Sequence, residues 1–108
     1  MNIHDYHTVG GKNLIREYLN NLPKREKAEG YRVRYNIMKF GLDAFPLLNA
    51  RQLTGKLWEI KFYDNRIMYI ISDKENVYFL HACKKQKGKT EQFELNKAIQ
   101  RAKERDLL

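Results

Sequence analysis

Cysteine is almost missing from this chain: Cys83 is the only one among 108 residues, so no disulfide can form within it. Histidine is nearly as scarce, and His4, His7 and His81 are too scattered to give the Cys/His spacing of a zinc site. Two prolines and six glycines are too few for a Pro- or Gly-rich linker, and no repeat or low-complexity tract is visible. No apolar run approaches the roughly 20 residues that a membrane span needs, and Met1-Asn-Ile-His-Asp-Tyr-His lacks the apolar core of a secretory signal. A phosphate loop, a nucleophile elbow and a paired-carboxylate arrangement are missing too. These absences predict a cytoplasmic protein with no metal, no cofactor and no membrane contact. Acidic residues are also in deficit, 13 against 21 Lys and Arg, for a net charge of +8. That balance points to nucleic acid, an anionic surface or an acidic protein partner.

What is present fits one domain over residues 1–108, with 43% hydrophobic residues and seven tyrosines to build a core. Residues 2–7 read as a short edge strand. After the Gly10-Gly11 turn, Leu14, Ile15, Tyr18, Leu19 and Leu22 repeat at helical spacing. Pro23 stops that helix and suits the first turn of the next. The second helix, about Lys24 to Phe40, shows an apolar stripe of Ala28, Tyr31, Tyr35, Met38 and Leu42, with Arg34 among the cations of its solvated face; Gly41 caps it. Together these segments predict a helical hairpin.

Three strands are expected next. Leu57 to Tyr63 alternates, with Trp58, Ile60 and Phe62 on a buried face and Glu59, Lys61 and Tyr63 on an open one. Asp64-Asn65 reads as a tight turn into Arg66 to Ser72, and a polar turn precedes Val77 to Cys83. Glu91 to Arg105 reads as a final helix buried along Leu95, Ala98, Ile99 and Ala102, with Thr90 as its N-cap and Glu91 and Glu94 complementing its dipole. The order β-α-α-β-β-β-α is an α+β fold: a small antiparallel sheet, a helical hairpin and a C-terminal helix.

Cations gather on this sheet. Lys61 projects from the open face and Arg66 begins the neighbouring strand. Lys84 and Lys85 leave the last strand, and Lys87 follows in a glycine-containing loop with Lys89. Arginine offers phosphate a planar fork and lysine a point charge, so the group suits a phosphate. By alternation His81 shares a face with Val77, Phe79 and Cys83, the setting of a partly buried, hydrogen-bonded histidine. Glu59, Lys61 and His81 all remain open as the general base.

Several of these segments carry a resemblance. Leu53-Thr-Gly-Lys-Leu-Trp-Glu-Ile-Lys, Arg66-Ile-Met-Tyr-Ile, His81-Ala-Cys-Lys-Lys-Gln-Lys-Gly-Lys-Thr and the closing Ala98-Ile-Gln-Arg-Ala-Lys-Glu-Arg-Asp-Leu resemble the signatures of HigB-type toxins, the phage-derived branch of the RelE/ParE superfamily. The resemblance implies the RelE/ParE fold and the toxin of a type II toxin–antitoxin pair: an endoribonuclease that needs no metal and cleaves mRNA on the ribosome. It implies a helix-turn-helix, HigA-like antitoxin as partner, with operator DNA reached only through it. By position it implies catalytic roles for Lys61, Arg66, Lys84 and Lys85, and RNA contacts for Lys56, Lys87 and Lys89. Lys61 stands where the motif has arginine, and Glu91 where it often has proline. Two other readings keep the same fold class or charge: a ParE-like gyrase inhibitor, and a non-catalytic RNA-binding prophage remnant that stacks bases on Tyr63 or Tyr69.

Overall fold

A computed structural model describes residues 1–108. The chain runs β1 (Asn2–Asp5), α1 (Leu14–Asn20), α2 (Lys24–Phe40), a 3-10 segment (Gly41–Leu47), β2 (Ala50–Thr54), β3 (Leu57–Phe62), β4 (Asn65–Asp73), β5 (Asn76–Lys84) and α3 (Lys89–Glu104). The α+β class and the three helices are those expected from the sequence, and they fit a small RelE-like fold. No helix is long and apolar enough to cross a membrane.

The sheet has five strands, one more than the four expected. Its order is β1-β5-β4-β3-β2, antiparallel from β2 through β5, with β1 added in parallel along β5. β2 escaped the sequence reading because Ala-Arg-Gln-Leu-Thr shows no apolar alternation; its ladder with β3 supplies the order that its side chains do not.

Local signals set the helix ends. The Asn13 side chain accepts from the Arg16 N–H and caps α1. Pro23 is the cap position of α2, and Gly41 ends it at a φ of 61°. Thr90 does not cap α3: the helix starts two residues earlier than expected, at Lys89, behind Gly88 at a φ of 63°.

Two layers cover the sheet. On one face Ile15 and Leu19 of α1 and Val33 and Ile37 of α2 pack on Ile60, Phe62, Ile67, Tyr69, Val77 and Phe79. On the other, Ala98 and Ala102 of α3 pack on Leu57, Met68, Ile70, Leu80 and Cys83. The face expected to be open is therefore partly roofed by α3.

The buried side of α2 differs from the expected stripe. Ala28, Tyr35, Met38 and Leu42 are exposed, and Gly30, Val33, Arg34 and Ile37 face inward. Close approach explains the rotation. A Cβ at Gly30 would lie 2.7 Å from Leu19 Cδ2 and 3.3 Å from the Phe62 ring, so the smallest residue marks the contact line. Arg34 is drawn in by Asp5. Its Nη1 and Nη2 donate to Asp5 Oδ1 and Oδ2 at 2.7 and 2.9 Å, and Asn13 Nδ2 donates to Oδ2 at 2.9 Å. The guanidinium also lies 5.6 Å over the Phe79 ring. Trp58 shares the face of Ile60 and Phe62 but lies opposite Gln52 of the edge strand, 38% exposed, outside the core.

Candidate functional site

The β3–β4 turn decides how the cations meet. It is made by Tyr63 and Asp64, one residue earlier than expected, with Tyr63 at a φ of 51° and Phe62 paired to Asn65. Lys61 then lies directly opposite Arg66, and Arg66 opposite Cys83, giving one row across three strands. Glu59, Met68 and His81 form the next row. Directly paired residues share a face, so both rows point toward α3.

His81 reaches that face through an irregularity. Met68 pairs with His81 but Tyr69 pairs with Phe79, so Leu80 is the extra residue of a β-bulge. The bulge reverses the alternation: Val77 and Phe79 face α1 and α2, whereas His81 and Cys83 face α3. Simple alternation therefore mispairs His81 with Val77 and Phe79.

Between the end of the hairpin and the first turn of α3 lies a cavity of about 320 Å³, whose lining includes Arg51, Glu59, Lys61, Arg66, Cys83, Lys84, Lys85, Lys87, Glu91 and Glu94. Lys61, Arg66, Lys85 and Lys87 thus come together. Lys84 touches the cavity, but its ammonium turns to the helical face, 2.9 Å from Asn65 Oδ1 and 3.4 Å from Glu26 Oε1. Asn65 is fully buried there; it also accepts from the Tyr18 hydroxyl at 2.6 Å and donates to Glu26 at 2.8 Å. Lys56 sits in the β2–β3 turn, about 17 Å from Lys61 at the usual strand rise, and neither it nor Lys89 lines the cavity. Tyr69 is only 2% exposed and cannot stack on a base, while Tyr63 is exposed.

Arg66 is held rather than free. Its Nη1 donates to the Asn65 carbonyl at 3.0 Å and its Nε lies 3.8 Å from Glu59 Oε1. Glu59 is buried and also accepts from Arg51 Nε at 2.7 Å; Arg51 Nη2 lies 3.6 Å from Glu91. Glu59 therefore pairs with two arginines and not with Lys61. The ion pairs of the protein include neither Lys61 nor Lys85.

Beside this row sits a second cluster. His81 Nε2 and Glu94 Oε2 share a hydrogen bond, and Arg101 Nη1 lies 3.0 Å from both His81 Nδ1 and the Leu80 carbonyl. A guanidinium only donates, so Nδ1 accepts and the ring proton sits on Nε2, directed at Glu94. Burial lowers the His81 pKa, with Arg101 and Lys97 acting the same way against the opposing pull of Glu94. The Cys83 thiol is pushed up to about 12, first by burial and then by the Glu94 charge and hydrogen bond. Glu91 and Glu94, read from the sequence only as dipole partners, and Arg51, in the unexpected strand, are charged cavity residues that the sequence did not flag.

His81, Cys83 and Glu94 place their donor atoms within 4.8 Å of one another. Their chemistry fits a metal poorly. A ligating histidine ordinarily donates from its second nitrogen to an acceptor, whereas here that nitrogen faces a guanidinium and the proton occupies the one aimed at the cluster. The thiol is likewise held protonated. The three form a hydrogen-bonded group.

A search of curated proteins found no match. Among protein families, the one described as "Phage derived protein Gp49-like (DUF891)" matches residues 17–103, a span that runs from α1 to the end of α3 and includes the whole cavity. The chain belongs to this Gp49-like phage-derived family, whose members are toxin–antitoxin toxins of the RelE/ParE type.

Proposed function

We propose that this protein is a HigB-type, ribosome-dependent endoribonuclease that cleaves translated mRNA and is silenced by a HigA-like helix-turn-helix antitoxin. The observation that carries the reading is the Lys61–Arg66 cross-strand pair in a cavity rimmed by Lys85 and Lys87, on a chain of net charge +8. A gyrase inhibitor needs no such phosphate-sized group of cations.

The reaction is transfer within the RNA. The 2′-hydroxyl attacks the adjacent phosphorus and the bond to the 5′-oxygen breaks, leaving a 2′,3′-cyclic phosphate and a 5′-hydroxyl. Arg66, fixed by Glu59 and the Asn65 carbonyl, stabilises the charge that builds on the phosphate oxygens. Lys61, with no carboxylate partner, orients the 2′-hydroxyl and the phosphate. Lys85 protonates the leaving 5′-oxygen and Lys87 grips the neighbouring phosphate. Lys84 acts at one remove, steadying Asn65 and so the turn that aligns Lys61 with Arg66. Lys56 and Lys89 contact flanking RNA outside the cavity, where exposed lysines add salt-dependent affinity.

The test is to express the chain in growing bacteria and map mRNA 5′ ends. Codon-phased cuts inside translated frames are expected, abolished by Arg66→Ala and strongly reduced by Lys61→Ala. Growth arrest with intact mRNA and broken DNA would transfer the assignment to gyrase inhibition, and absence of toxicity with RNA binding retained would leave a non-catalytic binder.

A further inference from the structure

We infer that Glu94 is the general base of this cavity, aimed into it by His81 and Arg101. The assignment rests on the ribonuclease reading above and supplies the proton acceptor that its cations lack.

Three carboxylates line the cavity: Glu59, Glu91 and Glu94. Two lie against guanidinium groups. Glu59 accepts from Arg51 at 2.7 Å with Arg66 at 3.8 Å, and Glu91 lies 3.6 Å from Arg51. A carboxylate oxygen already committed to a guanidinium donor is not free to take a substrate proton. Glu94 has no guanidinium or ammonium at ion-pair distance; its neighbours are the neutral His81 and the protonated Cys83 thiol. The sequence candidates fare worse. Both nitrogens of His81 are engaged, Nε2–H with Glu94 and Nδ1 with Arg101, so the ring has no free lone pair for a substrate proton. Lys61, as an ammonium, likewise has none.

The backbone is shaped around this arrangement. The Leu80 bulge turns His81 toward α3, and Arg101, one of whose nitrogens bonds both the Leu80 carbonyl and His81 Nδ1, locks the bulge and the tautomer together. His81 and Arg101 are positioning residues, and Glu94 is the group that meets the substrate. The 2′-hydroxyl proton passes to the Glu94 carboxylate as the 2′-oxygen bonds to phosphorus. The bond from phosphorus to the 5′-oxygen breaks, and that oxygen takes a proton from the Lys85 ammonium. Solvent returns the proton from Glu94 to Lys85, so the cycle takes up and releases none.

The test is single-turnover cleavage of mRNA on programmed ribosomes, with a normal substrate and with one carrying sulfur at the 5′-bridging position, whose leaving group needs no protonation. Glu94→Gln, which can still accept from His81, is expected to keep its thermal midpoint and half-saturating concentration while losing about 10²- to 10⁴-fold in rate. That loss persists on the sulfur substrate, whereas the loss in Lys85→Ala disappears there. His81→Gln lowers the maximal rate and leaves the half-saturating concentration unchanged. A Glu94→Gln rate within about three-fold of wild type, or a defect rescued by sulfur, overturns the assignment while leaving the ribonuclease reading intact. A wild-type chain that cuts nothing overturns both. Should Glu94→Gln not fold, Glu94→Ala decides: a rate within about three-fold of wild type, or a defect rescued by sulfur, refutes the assignment, and a larger loss that sulfur does not rescue supports it.

Discussion

Replacing Arg34 with methionine should be among the most damaging single changes outside the cavity. Arg34 and Asp5 are each only 5% exposed at the side chain and joined by two hydrogen bonds of 2.7 and 2.9 Å, so Arg34→Met leaves a buried carboxylate without its principal partner. Breaking a buried pair from one side costs about 3–5 kcal/mol. The lower end applies, because Asn13 still donates to Oδ2 at 2.9 Å and Arg16 Nε lies 3.7 Å from the same atom. For a chain of this size, an unfolding entropy of about 0.23 kcal/mol/K converts roughly 3 kcal/mol into a fall of about 13 °C in midpoint. Adding Asp5→Asn removes the stranded charge and should return part of the loss. A double-mutant cycle of thermal or urea melts should therefore give a coupling energy above about 1 kcal/mol. A single-variant loss under 1 kcal/mol, or additive effects, would refute the claim that this pair ties β1 to α2.

Other consequences follow from burial. Gly30→Ala drives a methyl against Leu19 and Phe62 and should destabilise by about 1–3 kcal/mol in spite of alanine's better helix propensity, as urea melts would show. Cys83, buried with its pKa raised from 9.0 to about 12, should resist thiol reagents at pH 8 until the protein unfolds. Because the unfolded thiol ionises first, the stability held by Cys83 is present below pH 9 and lost as pH rises toward 12; Cys83→Ala should flatten that part of the stability curve relative to wild type. His81 has the opposite sign. Its folded pKa is depressed, so its contribution is present above 6.5 and lost as pH falls below it, and His81→Gln should narrow the gap between urea midpoints at pH 7.5 and 5.5.

Much of the site was legible because it depends on local rules. Alternation in β3 and a two-residue turn were enough to bring Lys61 and Arg66 onto one face; locating the turn at Tyr63–Asp64 made them direct partners and moved Asn65 into the core. The run from Lys84 to Lys89 followed from its place after the last strand, but which way each ammonium points did not. Lys84 turns toward Asn65 and Glu26, which lie 19 and 58 residues away in sequence. The Leu80 bulge had no local signature, since Val77 to Cys83 alternates equally well without it. The inward turn of Arg34 was hidden for a related reason. A charged side chain reads as surface until its partner, 29 residues away on another element, is known. Glu94 and Arg51 were missed because their importance comes from α3 roofing the sheet and from a strand without alternation.

Under the proposed function, the Lys61–Arg66 row handles one scissile phosphate of translated mRNA. The most direct measurement is to incubate purified protein with programmed ribosomes and identify the ends of the cut RNA. The expected products carry 2′,3′-cyclic phosphate and 5′-hydroxyl ends at one position in the A-site codon, with the rate reduced about 10²- to 10³-fold in Arg66→Ala. Intact mRNA, 5′-phosphate ends, or cleavage that is unchanged in Arg66→Ala would contradict the proposed function.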